Sequence, residues 1–443
     1  MSGIVSGIPI DYNVFEPRFD SNVVLSTFLE TFNPTSTIND INAPIVFSVP
    51  GNPYWVDLKN SYILLQCEYI GEMKTGDTVV NIDNAGVKIG PINNLGHSLF
   101  NKISLSLNTK EVASVSNYAY VSYLSTLLNH EKNSLETFMG LSGWLKDEVG
   151  KIDDVDSTAD GVLKKRRAMA HDRKTIDFII KPDITFFNSE KNIIPHCDID
   201  LKLERNPKAD FLLMYHTAAA TTYNFHIQIK NASFHVRRME TVPDLTIGLD
   251  MMLTKNKIPI TYAVQCTQVI PVHVSTGQSL FTLNNIFQGN VPQRIIVVFV
   301  SNEAYNGSPK KNPFNFEHCG ITSINLTKNG ISYPHPIINA DFSHAKYNEA
   351  YYHTMKSLQA PNGLGPDISM NEYGNGFTFM SYDLTTDQCG GAEKHKENTK
   401  ANIHLAVTFN PPLTEEKICL VFYEQQINVS IDYKRHVLVE TVY

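Results

Sequence analysis

From Ile199 to Glu204 the chain alternates, with Ile199, Leu201 and Leu203 on one side of an extended backbone and Asp200, Lys202 and Glu204 on the other. Successive strand side chains point to opposite faces, so this pattern predicts a half-buried β-strand that stops at Asn206-Pro207. The pattern returns at NIHLAVTF, before Asn410-Pro411. Runs rich in Val, Ile, Phe, Tyr and Thr fill much of the chain, among them PIVFSVP near Val46, SYILLQCEYI near Leu64, FNKISLSLN near Leu105, RIIVVFVS from Arg294 and KICLVFY from Lys417. Pro, Asn and Gly break them, as in an antiparallel sandwich or barrel. Two segments carry helical spacing: Val115 to His130, with Ser116 or Asn117 placed to cap it, and Ala345 to Leu358.

The recurrence is wider than one strand. FNKISLSLNTKE, the helix YAYVSYLSTLL, DIDLKLERNP, FLLMY and FHVRRMETV recur in order as ITSINLTKNG, KYNEAYYHTMKSL, NIHLAVTFNP, ICLVFY and YKRHVLVETV. Matching Lys110 to Lys328, Pro207 to Pro411 and Glu240 to Glu440 gives drifting offsets, as expected when strands are constrained and surface loops vary in length. The pattern predicts a tandem duplication: an arm over 1–22, a first sandwich over 23–240, a linker over 241–257 with room for a short helix, and a second sandwich over 258–443. The longest loop of the first half falls at 144–174; in the second half the loops are 359–376 and 385–399.

A length of 443 residues suits two large β domains. Hydrophobic residues at 42%, charged residues at 19% and a net charge of −8 leave no compositional case for disorder or for a strongly basic nucleic-acid binder. The N-terminus has no basic region followed by an unbroken apolar core, and the longest apolar runs, such as IIVVFV, are too short to span a bilayer, which argues against secretion or a membrane anchor. Six scattered cysteines with no C-x-x-C spacing read as reduced thiols, with Cys67, Cys266 and Cys419 inside apolar strands. The sequons at Asn231, Asn306, Asn325 and Asn428 read as chance matches in a chain that folds in the cytosol or nucleus.

Catalytic constellations are missing. NGLGPD at Asn362 lacks the spacing and lysine of a phosphate loop, HEKN at His130 lacks a second His four residues on, and GLSGW around Ser142 lacks the second Gly of a nucleophile elbow. Asp198 and Asp200 could pair on a metal but read better as the solvent face of a strand. His335, and the pair His344 and His353, could be site residues but read better as satisfied loop histidines. KKRR, from Lys164 to Arg167, could be an import signal or a nucleic-acid contact but reads better as a solvated loop beside Asp153, Asp154, Asp156 and Asp160. Tyr118, Tyr120 and Tyr123, like Tyr347, Tyr351 and Tyr352, fit a stacking surface or the packing of a helix onto the sandwich or a neighbouring subunit.

Two tandem β-sandwiches, each with a helix after a matched strand pair, resemble the double jelly-roll (hexon-like) major capsid proteins, and more narrowly those encoded by Polinton (Maverick) elements and related viruses. The residues that carry the likeness are GPINNLGHSLFNKISLSLNTKEV (Gly90 to Val112), the helix after it, WLKDE at Trp144, IIPHCDIDLKLERNP and FHVRRMETV. The resemblance implies two tandem eight-stranded jelly rolls and an all-β chain with a few short helices in its loops. It implies a structural viral protein of the virion, not an enzyme, whose homotrimers form pseudo-hexagonal capsomers that tile an icosahedral capsid. The partners it implies are further copies of the chain, a single jelly-roll penton protein and minor capsid proteins, with no membrane span and no direct nucleic-acid binding. It assigns no catalytic, cofactor-binding or metal-binding residue. Synthesis is expected in the host cytoplasm, with nuclear assembly left open. The arm, with Ile4, Val5, Ile8, Ile10, Val14 and Phe15 among Gly, Pro and Asp, is expected to dock on a neighbouring chain or under the shell. The alternatives are a lectin-like or receptor-binding β-sandwich module acting through its loops and, third, a carbohydrate-active enzyme.

Overall fold

The structure, a computed structural model, describes residues 23–76, 78–81, 89–155, 162–170, 175–217, 221–287, 291–358, 366–386, 388 and 400–441. The expected arm lies outside these residues.

The first half contributes β1 (Val24–Phe32), β2 (Ile45–Val49), β3 (Trp55–Thr75), β4 (Thr78–Asn81), β5 (Ile89–Pro91), β6 (Phe100–Leu107), β7 (Lys110–Ser116), β8 (Ile176–Ile180), β9 (Ile199–Arg205), β10 (Leu213–Tyr215) and β11 (Thr221–Thr241). One sheet runs β1-β11-β3-β8 and the facing sheet β2-β9-β6-β7, all antiparallel. The second half contributes β12 (Ile260–Val274), β13 (Leu280–Asn284), β14 (Arg294–Ser301), β15 (Ile321–Lys328), β16 (Ile331–Ser332), β17 (Ile338–Asn339), β18 (Phe379–Asp383), β19 (Ile403–Phe409), β20 (Lys417–Ile431) and β21 (Val437–Thr441). Its sheets run β12-β20-β14-β18 and β13-β19-β15-β16. Taken along the chain, the eight strands of the first set occupy the same sheet positions as the eight of the second. Each set is a jelly roll.

Alternation builds the cores. Ile199, Leu201 and Leu203 of β9 are fully buried, as are Ile403, Leu405 and Val407 of β19, and the residues between them are half-buried. Each such side chain contributes about 1.5–3 kcal/mol of burial. Register is set at tight turns: Asn108-Thr109 joins β6 to β7 and Asn329-Gly330 joins β15 to β16, all four residues having positive φ, the two-residue hairpin geometry whose twist matches that of the strands.

These turns correct the repeat alignment. Asn108 corresponds to Asn329, so Lys110 and Lys328 are not equivalent. The matches of the two NP-terminated strands and of the two helices hold, because β9 and β19 share one sheet position and helices Tyr118–Asn129 and Asn348–Leu358 both follow the β6-β7 and β15-β16 hairpins. The last two matches fail. FLLMY contains β10, which pairs with β5 outside both main sheets, whereas ICLVFY opens β20; FHVRRMETV ends β11, whereas YKRHVLVETV contains β21, an added strand along β20. A short apolar run has the same pattern wherever it pairs.

A helix at Pro243–Thr254 joins the rolls, starting from a proline where no backbone donor is needed. Asn117 precedes the Tyr118 helix in a left-handed conformation, and neither it nor Ser116 caps that helix through its side chain. The described thiols of Cys67, Cys197, Cys266, Cys319 and Cys419 are free, and burial pushes that of Cys67 up to about 12, the setting of an inert packing residue. Cys389 lies outside the described residues.

Candidate assembly site

The feature that sets this chain apart from two sandwiches on a string is the joint between the rolls. Helix Tyr118–Asn129 is buried nearly all round, with Tyr120, Tyr123, Leu124 and Leu127 on one face and Tyr118 on the opposite one. Tyr123 lies flat on Phe314, centroids 4.0 Å apart with planes 1° from parallel, and meets Phe316 edge-on at 5.7 Å. Tyr120 contacts Phe211, Phe314 and Tyr305 at 5.7–5.8 Å. Phe314 and Phe316 belong to the connection between β14 and β15, so these tyrosines pack the first roll onto the second.

Polar contacts lock the joint. Lys146 Nζ reaches Glu372 Oε1 at 2.8 Å, and Asp153 accepts hydrogen bonds from the Asn312 amide (2.6 Å) and Asn315 Nδ2 (2.7 Å). Asn108 Nδ2 donates to the Arg435 carbonyl at 2.8 Å, and the Tyr262 hydroxyl donates to the Asn192 carbonyl at 3.1 Å. Burial would raise the Glu372 carboxyl, but Lys146 and Ser369 together hold it below the usual range. At Gly376 the φ of +104° is one that L side chains rarely adopt, and an added Cβ would stand 2.1 Å from Ile152 Cδ1, which would have to move. The buried apolar residues of both rolls form one continuous cluster.

Beneath the joint lies a buried ion pair. Arg166, 2% exposed, donates to the Asp147 carboxylate and to the Pro91 carbonyl. Arg166 sits on helix Val162–Ala170, so KKRR is not the solvated loop expected: Lys164 and Lys165 are exposed, whereas Arg166 points inward and anchors the helix. The segment carries too few large apolar residues to announce a helix, because its anchor is a charge.

The other residues singled out in the sequence fall apart as a site. Asp198 accepts from the Gly51 amide and Asp200 from Ser48 Oγ, which ties turn and strand together. Ser142 is buried, its single hydroxyl proton shared between the Met139 carbonyl at 2.8 Å and Asn94 Oδ1 at 3.0 Å. His344 pairs with Asp341 at 2.7 Å, away from His353, while His335 and His353 come together. Tyr347 stacks on Phe342, the Tyr351 hydroxyl donates to the Ile368 carbonyl, and Tyr352 is exposed. NGLGPD, Asp156 and Asp160 lie outside the described residues, except that Pro366 and Asp367 are described. Sequence reasoning missed Phe314 and Phe316, for which the alternation in NPFNF was the one signal, and gave Phe211, in FLLMY, no part in a joint.

The surface adds a second feature. On helix Pro243–Thr254 only Leu253 is buried, while Ile247 (57%) and Met252 (53%) face outward. The Val242 amide bonds the Val23 carbonyl at 3.0 Å, which sets this helix beside the start of β1, where Leu25 (58%) and Leu29 (53%) are also exposed. Apolar patches of this kind mark contact surfaces. Among the described residues no three His, Cys, Asp or Glu side chains gather to hold a metal, and no helix is long and apolar enough to cross a membrane.

No protein-family model matches the chain. Uncharacterized protein F54H12.2 of Caenorhabditis elegans is 24% identical over 399 residues, covering 88% of this chain and 91% of that protein. Among solved structures, a chain of the Sputnik virophage superposes with a TM-score of 0.66 at 10% identity, covering 98% of this chain and 93% of its own. The Faustovirus major capsid protein gives 0.64 at 9% identity (96% and 92% covered), and the mavirus major capsid protein 0.59 at 13% (98% and 95%). The chain therefore has the double jelly-roll fold of these capsid proteins, as two tandem eight-stranded rolls over its whole described length.

Proposed function

We propose that the chain is a major capsid protein whose work is self-assembly: three copies form a pseudo-hexagonal capsomer, and capsomers tile an icosahedral shell. The observation that carries this reading is the joint. Two rolls of identical strand order, locked by Tyr120, Tyr123, Phe314 and Phe316 into one continuous core, present two similar faces at a fixed angle. Three such chains around an axis give six similar corners, and a rigid joint makes the hexagon repeatable. The capsid proteins that share the fold support the reading, and so does the apolar patch around Ile247 and Leu25, which suits a large contact with another copy.

On this reading the rolls span 23–240 and 258–443, with 241–257 as the linker and 1–22 as an arm reaching a neighbouring chain. The protein is a virion component rather than an enzyme, made in the host cytoplasm, and it meets a single jelly-roll penton protein and minor capsid proteins at assembly. A binding module would want a calcium-holding acidic loop, for which the run from Asp153 to Asp160 is poorly spaced, and Asp153 is engaged by Asn312 and Asn315. Negative-stain imaging of the purified chain tests the proposal: hexagonal trimers support it, and monomers at all concentrations overturn it.

A further inference from the structure

His335 stands between Pro334 and Pro336 in the connection from β16 to β17, and His353 projects from helix Asn348–Leu358. Their ring centroids are 4.3 Å apart, and the ring of Tyr382 of β18 stands 5.3 Å from that of His335. His335 Nδ1 is 2.9 Å from the Pro336 carbonyl oxygen. A carbonyl only accepts, so Nδ1 carries the proton and Nε2 keeps a bare lone pair. That Nε2 is buried and has no hydrogen-bond partner. A histidine whose Nδ1–H is tied to a backbone carbonyl while Nε2 stays free is in the tautomer and orientation that metal-binding histidines use.

We propose that His335, through Nε2, and His353 bind one divalent transition-metal ion of the class that prefers imidazole, Zn²⁺, Ni²⁺ or Cu²⁺. Among the described residues no third His, Cys, Asp or Glu side chain gathers there. The ion would clip the proline-flanked connection to the helix that follows it.

The test is calorimetric titration of the full chain with ZnCl₂ in chelator-free buffer at pH 7.5 and pH 5.5. It is repeated for His335→Gln, His353→Gln and, as a control, His344→Gln, with folding checked by circular dichroism. The proposal expects one equivalent bound at pH 7.5 by the native chain and by H344Q, loss of that binding in H335Q and in H353Q, and weaker binding at pH 5.5 as protons compete. A native chain with no saturable uptake, or H335Q and H353Q variants that bind as the native chain does, would overturn it. A native chain without saturable uptake overturns the proposal whatever the variants do.

Discussion

The ring of Tyr123, on a helix of the first roll, lies parallel to that of Phe314, in a connection of the second, at 4.0 Å. This contact sits where the two rolls meet and where Trp144, Tyr120 and Phe316 converge. Tyr123→Ala or Phe314→Ala should each destabilise the chain by about 3–5 kcal/mol, the usual cost of deleting a buried aromatic. In a double-mutant cycle followed by urea unfolding the two should couple by about 0.5–1.5 kcal/mol. Additive effects would mean that the rings do not interact as described.

The Asp147–Arg166 pair is buried on both sides. Asp147→Asn alone leaves a buried guanidinium uncompensated and should cost about 3–5 kcal/mol, while the double change Asp147→Asn with Arg166→Met should recover much of that loss. Urea midpoints of the three proteins measure it. A double variant no better than the single would show that Arg166 is held by its other partners.

His97 is fully buried against the Tyr118 hydroxyl, 2.7 Å away, and burial, with His130 nearby, pushes its pKa down to about 3. A base neutral in the fold but protonated when unfolded makes the unfolded chain take up more protons as pH falls. Stability should therefore be full above about pH 6.5 and be lost toward pH 3, with His97 contributing up to about 1.4 kcal/mol per pH unit in that window. His97→Gln should flatten the dependence of the urea midpoint on pH between 6.5 and 4; an unchanged slope would assign the acid sensitivity elsewhere.

Glu372 works in the same direction through the opposite charge. Its carboxyl, held low by Lys146 and Ser369 in spite of burial, favours the fold while ionised, so its contribution is present above the ordinary glutamate range and fades as pH falls through its lowered pKa. Glu372→Gln should weaken the joint at pH 7 by a modest amount, and the difference from the native chain should shrink as pH falls through that lowered pKa, as read by urea midpoints across the acid range.

Much of this architecture was legible in the sequence, because alternation is a local signal. The inward faces of β9 and β19 could be read residue by residue, and the two rolls with their helices followed from the order of the runs. β1 was not legible: it is an edge strand with most of its residues exposed, so no alternation announces it. The joint was half legible. The tyrosines Tyr118, Tyr120 and Tyr123 showed that a helix packs on something, but the partner of Tyr120 and Tyr123 lies about 190 residues away in the chain, at Phe314, and no local pattern encodes that distance. The helix carrying Arg166 was hidden for a related reason, since a basic run looks solvated until a buried carboxylate is found opposite it.

The central claim is self-assembly, and the mass of the purified chain in solution tests it most directly. Light scattering on a sizing column should give a particle near three times 49.8 kDa, and Ile247→Asp with Met252→Asp should shift it toward the single-chain mass without loss of fold. A native chain that remains at 49.8 kDa at high concentration would contradict the account.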